Sequence, residues 1–135
     1  MLPGRSGERW EESKTMSNEP PPAGEGKPEV PYEAFAALDL RAARVIAAEK
    51  HPQADKLLVL RIDLGELGER QIVAGIAGHY DPTGLAGKSI VVVANLKPIR
   101  LRGVESRGML LAAAEGERVV LLTAMSDVAA GARVS

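Results

Sequence analysis

The stretch LLVLRIDLG, residues 57–65, constrains the fold most tightly. Leu58, Leu60, Ile62 and Leu64 fall on one face of an extended chain, Arg61 and Asp63 on the other. That period of two is the mark of a half-buried strand. Short apolar runs recur along the rest of the chain. LDLRAARVIAAEKH (38–51) reads as a long strand. Arg41 and Arg44 fall on opposite faces of it if it is regular, so a bulge is expected. HPQADK (51–56) is punctuated as a turn by Pro52 and Asp55. ELGE turns the second strand into a third, RQIVAGIA (70–77). HYDPTGLAGK (79–88) carries helix signals: Asp81 as cap, Pro82 in the first turn, Gly87 at the end. Such a helix has room for one or two turns. SIVVVANL (89–96) is apolar enough for a strand buried on both faces. MLLAAA (109–114) is a fifth strand, EGER a turn, and VVLLTAM (119–125) a further extended piece.

Three strands, a short helix and two strands is the order of the OB barrel. The expected fold is therefore all-β: a five-stranded OB-fold barrel with a short helix between strands 3 and 4 and a C-terminal extension. Ala42, Ala43, Ala74, Gly75, Ala94 and Ala112 to Ala114 are small enough for its tight closure. Another small β-barrel or a sandwich is the alternative, and the helix discriminates. The domain is expected over residues 32–135. Residues 1–31, ending NEPPPAGEGKPEVP, bury too little apolar surface to offset ordering entropy and read as a disordered acidic, Pro-rich tail. Met16 is a second candidate start.

Composition narrows the function. A chain of 135 residues supports one domain with a modest core. It contains no cysteine, which removes disulfides and thiolate chemistry. Two histidines, His51 and His79, without cysteine or closely spaced carboxylates, argue against a metal site. Neither a Walker lysine nor a dinucleotide-binding glycine pattern accompanies AGIAG (74–78), and no nucleophile elbow surrounds Ser106. No catalytic residue and no cofactor are expected. No apolar run reaches the roughly 18–20 residues of a membrane span, and the N-terminus lacks the apolar core of a signal peptide. The expected compartment is the cytoplasm.

The net charge of −1 hides an uneven distribution. Residues 1–31 carry four basic and six acidic groups, a balance of −2; residues 32–135 carry thirteen and twelve, a balance of +1. NLKPIRLRGVESRGM (95–109) alone holds Lys97, Arg100, Arg102 and Arg107 against Glu105, a balance of +3. Locally concentrated charge suits a shaped contact with a polyanion more than a generic coating. Pro98 fixes the backbone beside Lys97, and Gly103 permits a turn between arginines. In an OB barrel this segment rims the binding face, and the HPQADKL loop, with Lys56 and His51, forms the opposite rim. The bland alternatives are a solvated loop and a lone surface histidine. Four aromatic residues, Trp10, Tyr32, Phe35 and Tyr80, are too few for a large base-stacking platform.

FAALDLRAARVIAAEKHPQADKLLVLRIDLG, RQIVAGIAGHY, GKSIVVVANLKPIRLRGVESRGMLLAA and AAGARV together resemble the tRNA-binding OB domain appended to methionyl-tRNA synthetases and also found free-standing. The resemblance covers about residues 33–135. It implies recognition of tRNA by shape, especially its L-shaped corner. By matching motif positions it implies binding through Lys56, Asn95, Lys97, Arg100, Arg102, Ser106 and Met109. Lys97, Arg100 and Arg102 would neutralise phosphates. Asn95 and Ser106 would bond sugar or phosphate, or hold the loop; Met109 would pack on a base or fill core. The resemblance further implies a homodimer through residues 119–134, against the alternative that these residues finish the domain's own barrel. The CsaA chaperone shares the implied fold. Three roles are therefore in view: a tRNA-binding module acting in trans to an aminoacyl-tRNA synthetase, a β subunit or detached C-terminal part of methionyl-tRNA synthetase, and a CsaA-like protein-binding chaperone. The HIGH and KMSKS signatures of the synthetase catalytic domain do not occur in these residues.

Overall fold

The computed structural model describes residues 26–135, so most of the tail expected over residues 1–31 lies outside the described residues. The unit Tyr32–Ser135 begins with a five-residue helix, α1 (Tyr32–Ala36). Ten strands follow: β1 (Leu40–His51), β2 (Ala54–Asp63), β3 (Glu69–Ala74), β4 (Ser89–Val93), β5 (Ile99–Leu101), β6 (Val104–Ser106), β7 (Met109–Leu110), β8 (Ala112–Glu115), β9 (Arg118–Leu121) and β10 (Arg133–Val134). The architecture is all-β.

The main sheet runs β3-β2-β1-β4-β7, with β10 also paired to β1. Every pairing in it is antiparallel. β1 is shared: Leu40 to Arg44 pair with β4, and Arg44 to His51 pair with β2. The expected bulge falls between Val45 and Ala47 on β1. Arg41 and Arg44 precede it, in the part regularly paired with β4, so the bulge does not realign them.

Leu58, Leu60, Ile62 and Leu64 are all buried, while Arg61 beside them is exposed. They form the centre of a core with Ala43, Val45, Ile72, Ala74, Ile76, Leu85, Ile90, Val92 and Leu110. Burying each large aliphatic side chain contributes about 1.5–3 kcal/mol before ordering costs. Truncating Leu60 to alanine should cost about 2–5 kcal/mol.

Three sequence expectations change. The helix expected between strands 3 and 4 is a single 3-10 turn, Pro82–Gly84. Asp81 does cap it, accepting from the Thr83 amide at 3.0 Å, and Pro82 occupies its first turn. Gly84 and Gly87 bracket Leu85 and Ala86, and two good helix formers between glycines are too few to extend so short a nucleus. The fourth strand stops at Val93 because the Ala94 amide turns to the Asp39 carbonyl, 2.7 Å away. The fifth strand divides: β7 pairs with β4, and β8 leaves to pair with β9.

The C-terminal segment is partly structural. Val119 and Leu121 pack against the core, and the Leu121 amide donates to the Tyr80 hydroxyl at 3.0 Å. Val120, Leu122 and Met125 stay exposed. Farther on, Gly131 donates to the Ala42 carbonyl at 2.7 Å and passes directly over Leu64 and Gly65.

Candidate functional site

The basic stretch leaves the sheet at Ala94 and is anchored at once. The Asn95 side chain accepts from the Asp39 amide at 2.9 Å and donates to the Ala37 carbonyl at 2.7 Å. Asp39 itself receives Arg41 Nε at 2.7 Å. That bond, with the further positive charges of Arg41, Arg133 and Arg70, holds the Asp39 carboxyl below the usual range. The end of β4 is thus stitched to the segment joining α1 to β1.

Lys97 then emerges exposed, followed by Pro98. The next residues are not a loose loop. β5 and β6 form a hairpin with Ile99 opposite Ser106, Arg100 opposite Glu105 and Leu101 opposite Val104. Arg102 and Gly103 make its two-residue tip with φ of 53° and 89°. Positive φ at both positions is the type I′ pattern, whose twist matches that of paired strands. Arg100 Nη1 caps the tip by donating to the Gly103 carbonyl at 3.1 Å.

The far arm is tied to β3. Gln71 Nε2 donates to the Glu105 carbonyl at 2.8 Å, and the Arg107 amide donates to the Gln71 carbonyl at 2.9 Å. Ser106 is buried; its hydroxyl accepts from the Val73 amide at 3.0 Å and donates to the Gly108 carbonyl at 3.1 Å. Gly108 has φ of 131°, and a Cβ there would press on the Val93 carbonyl oxygen at 3.0 Å. Met109 follows, paired with Val93 and partly exposed.

The residues expected to bind therefore divide. Lys97, Arg100, Arg102 and Met109 present exposed side chains on the 95–109 segment, and Lys56 is exposed at the start of β2. Asn95, exposed, and Ser106, buried, each make two side-chain hydrogen bonds within the protein. Arg107 is a further exposed cation beside them. His51 is neither a surface residue nor a free rim group. It is buried, and its ring joins the β1–β2 turn to Leu101 of the hairpin. Its place just before Pro52, at the end of an apolar strand, is the only hint of this in the sequence.

A shallow cavity of about 270 Å³ lies on the sheet, lined by Ala47, Ala48, Glu49, Val59, Arg61 and Gln71. Three small aliphatic residues and three polar or charged ones line it, with no aromatic ring among them. Gln71 connects it to the hairpin through Glu105. Among the described residues, no group of three His, Asp or Glu side chains gathers as metal ligands, and no helix is long and apolar enough to cross a membrane.

Exposed Arg100 and Arg102 thus stand on a braced hairpin, with Lys97 exposed just before it and Arg107 just after it. Residues 40–133 match the family described as "Putative tRNA binding domain", and the chain belongs to that family. It is 58% identical over 101 residues to a methionine–tRNA ligase of Thermotoga maritima, covering 75% of this chain and 16% of the ligase. It is 50% identical over 105 residues to the ligase of Thermococcus kodakarensis, covering 78% of this chain and 14% of that one. The chain thus spans only about 14–16% of the length of these relatives. Among solved structures it is similar to a MetRS-related protein from Pyrococcus horikoshii, with TM-score 0.75, 37% identity, and coverage of 81% of this chain and 100% of the other. It is also similar to the chaperone CsaA from Bacillus anthracis, with TM-score 0.73, 37% identity, and coverage of 80% and 100%. The shared region is a binding domain, not a catalytic one.

Proposed function

We propose that the chain is a non-catalytic, structure-specific tRNA-binding module. The observation that carries this reading is the braced hairpin that presents Arg100 and Arg102 beside Lys97. Placing a cation on a phosphate costs less when the backbone carrying it is already ordered. Arginine matches two phosphate oxygens with its planar fork. Lys56, exposed at the start of β2, would add a further phosphate contact. The shallow cavity on the sheet has no ring in its lining, which favours reading backbone shape over stacked bases.

We read the strands as an OB barrel. The bonds from the Arg107 amide to the Gln71 carbonyl and from the Val73 amide to the Ser106 hydroxyl support closure, because they tie β3, one end of the main sheet's path, to the segment leading into β7, the other end. The module would act in the cytoplasm, in trans to an aminoacyl-tRNA synthetase or as a subunit of one, as its likeness to part of methionine–tRNA ligases suggests. A homodimer would use the exposed Val120, Leu122 and Met125. Val119 and Leu121 belong to the domain's own core, so truncation would damage the fold. Val120→Asp with Met125→Asp should instead give a folded monomer by light scattering.

Filter binding to folded tRNA, with denatured tRNA and duplex RNA as competitors, tests the main reading. Folded tRNA should compete best, and equal competition by all three would sink it. Log K should fall against log salt with a slope of roughly three to six. The likeness to CsaA favours a second reading, a chaperone that binds unfolded polypeptide. That reading gains if a denatured protein displaces tRNA or binds where tRNA does not.

A further inference from the structure

We propose that His51 is a positioning residue for the basic hairpin, acting through one ring tautomer. This rests on reading the hairpin as the tRNA-contacting element. His51 is 4% exposed and lies at the end of β1. The Gln53 amide approaches Nδ1 at 2.9 Å, and the Leu101 carbonyl approaches Nε2 at 3.0 Å. An amide N–H can only donate, so Nδ1 must be the acceptor and carry no proton. A carbonyl can only accept, so Nε2 must carry the ring proton. The two partners thus select the Nε2–H tautomer, in which both ring nitrogens are bonded.

The placement of these bonds gives them their consequence. β5 and β6 form a two-stranded sheet of three residues per arm, outside the main sheet. Isolated hairpins of that size are marginal. The β6 arm is tied to β3 by the bonds of Gln71, Ser106 and Arg107. The β5 arm is tied to the rest of the domain by His51 at Leu101, the residue just before the tip. A weaker bond from Arg102 Nη2 to the Gln53 carbonyl, 3.4 Å long, runs between the same turn and the tip. Without His51 the β5 arm would keep only that weaker bond, and the backbone carrying Arg100 and Arg102 would be held less firmly. The imidazole adds no charge to the surface; it acts only through the arginines.

The two side-chain amides separate its two bonds. His51→Asn places an oxygen near Nδ1 and keeps the bond from Gln53, but reaches no donor to Leu101. His51→Gln places an NH2 near Nε2 and can restore the bond to Leu101. The Asn variant should lose on the order of tenfold in tRNA affinity, the scale of one buried bond left unmade. The Gln variant should recover most of that. Equal loss in both, or none in either, would overturn the proposal. In a Lys97→Ala, Arg100→Ala, Arg102→Ala background the Asn change should weaken binding no further; a full repeated loss there would also overturn it. The RNA-free protein provides a readout independent of tRNA. Nitrogen NMR of the ring at pH 7 should report protonated Nε2 and bare Nδ1. Amide exchange at Arg102 and Gly103 should quicken in the Asn variant and not in the Gln variant. If wild-type protein ignores tRNA but these two results hold, the functional reading fails and the positioning role stands. The opposite tautomer, an imidazolium, or unchanged exchange would refute the positioning role.

Discussion

Two turns in this domain use left-handed backbone for opposite ends. At the first, Gly65 and Gly131, with φ of 65° and 90°, cross so closely that each excludes a side chain from the other. A Cβ on Gly131 would overlap the Leu64 carbonyl, and one on Gly65 would overlap the Ala130 carbonyl. At the second, Arg102 and Gly103 take φ of 53° and 89° at the hairpin tip, where nothing crowds the Cβ position of Gly103. Glycine at the crossing is demanded by packing. Arginine at the tip is tolerated by empty space and costs about 1 kcal/mol or more in backbone strain. The difference separates a position occupied for stability from one occupied for what its side chain reaches.

The comparison breaks if the crossing tolerates a methyl group. Gly131→Ala should destabilise the domain by about 2–5 kcal/mol, from backbone strain and overlap together. Thermal melting would register that as a fall of at least about 10 °C. At the other end of the contrast, replacing Lys97, Arg100 and Arg102 by alanine should leave the melting temperature almost unchanged. It should lower tRNA affinity at least about tenfold and reduce the salt slope by about three. A fold lost with the cations would mean that the tip is structural after all.

A finer test changes the tip alone. Arg102→Asn puts the preferred residue of a type I′ turn at that position and should stabilise the domain by about 0.5–1 kcal/mol. The same change should weaken tRNA binding. Stability and affinity moving together would erase the distinction between the two turns. The smallest effect is expected where the basic stretch begins. The folded-state pKa of Asp39 lies below its ordinary 3.8, chiefly through the bond from Arg41. The pair therefore stabilises the fold above that pH, and its contribution disappears as the pH falls through the lowered value. Asp39→Asn should melt slightly lower than the parent protein at pH 7, with the gap closing as the pH falls below the ordinary carboxylate range and through the lowered value.

How much of this could be read in the chain depended on how local the cause was. Alternation placed Leu58, Leu60, Ile62 and Leu64 in the core because strand faces follow from backbone geometry alone. Asp81 and Pro82 marked a cap correctly, but the length of the turn after it depended on how soon β4 had to start. The hairpin inside 95–109 was hidden, because Ile99 to Leu101 and Val104 to Ser106 are too short to show a period. The charges of that stretch were plain; the division of its polar residues between contact and bracing was not. Ser106 and Asn95 look alike in sequence to any exposed polar pair, and only their partners on β3 and before β1 tell otherwise.

The sequence by itself determined the all-β class, the buried strand faces, the concentration of cations between two apolar runs and the shortage of aromatic rings. Each follows from residue type and spacing within a few positions. Only the tertiary structure decided that Arg100 and Arg102 stand on a hairpin, that Ser106 ties it to β3 while Asn95 anchors the chain leading into it, and that a histidine 50 residues away bonds beside its tip. Those facts depend on hydrogen bonds between segments far apart in the chain, whose donors and acceptors meet only after the sheet has formed.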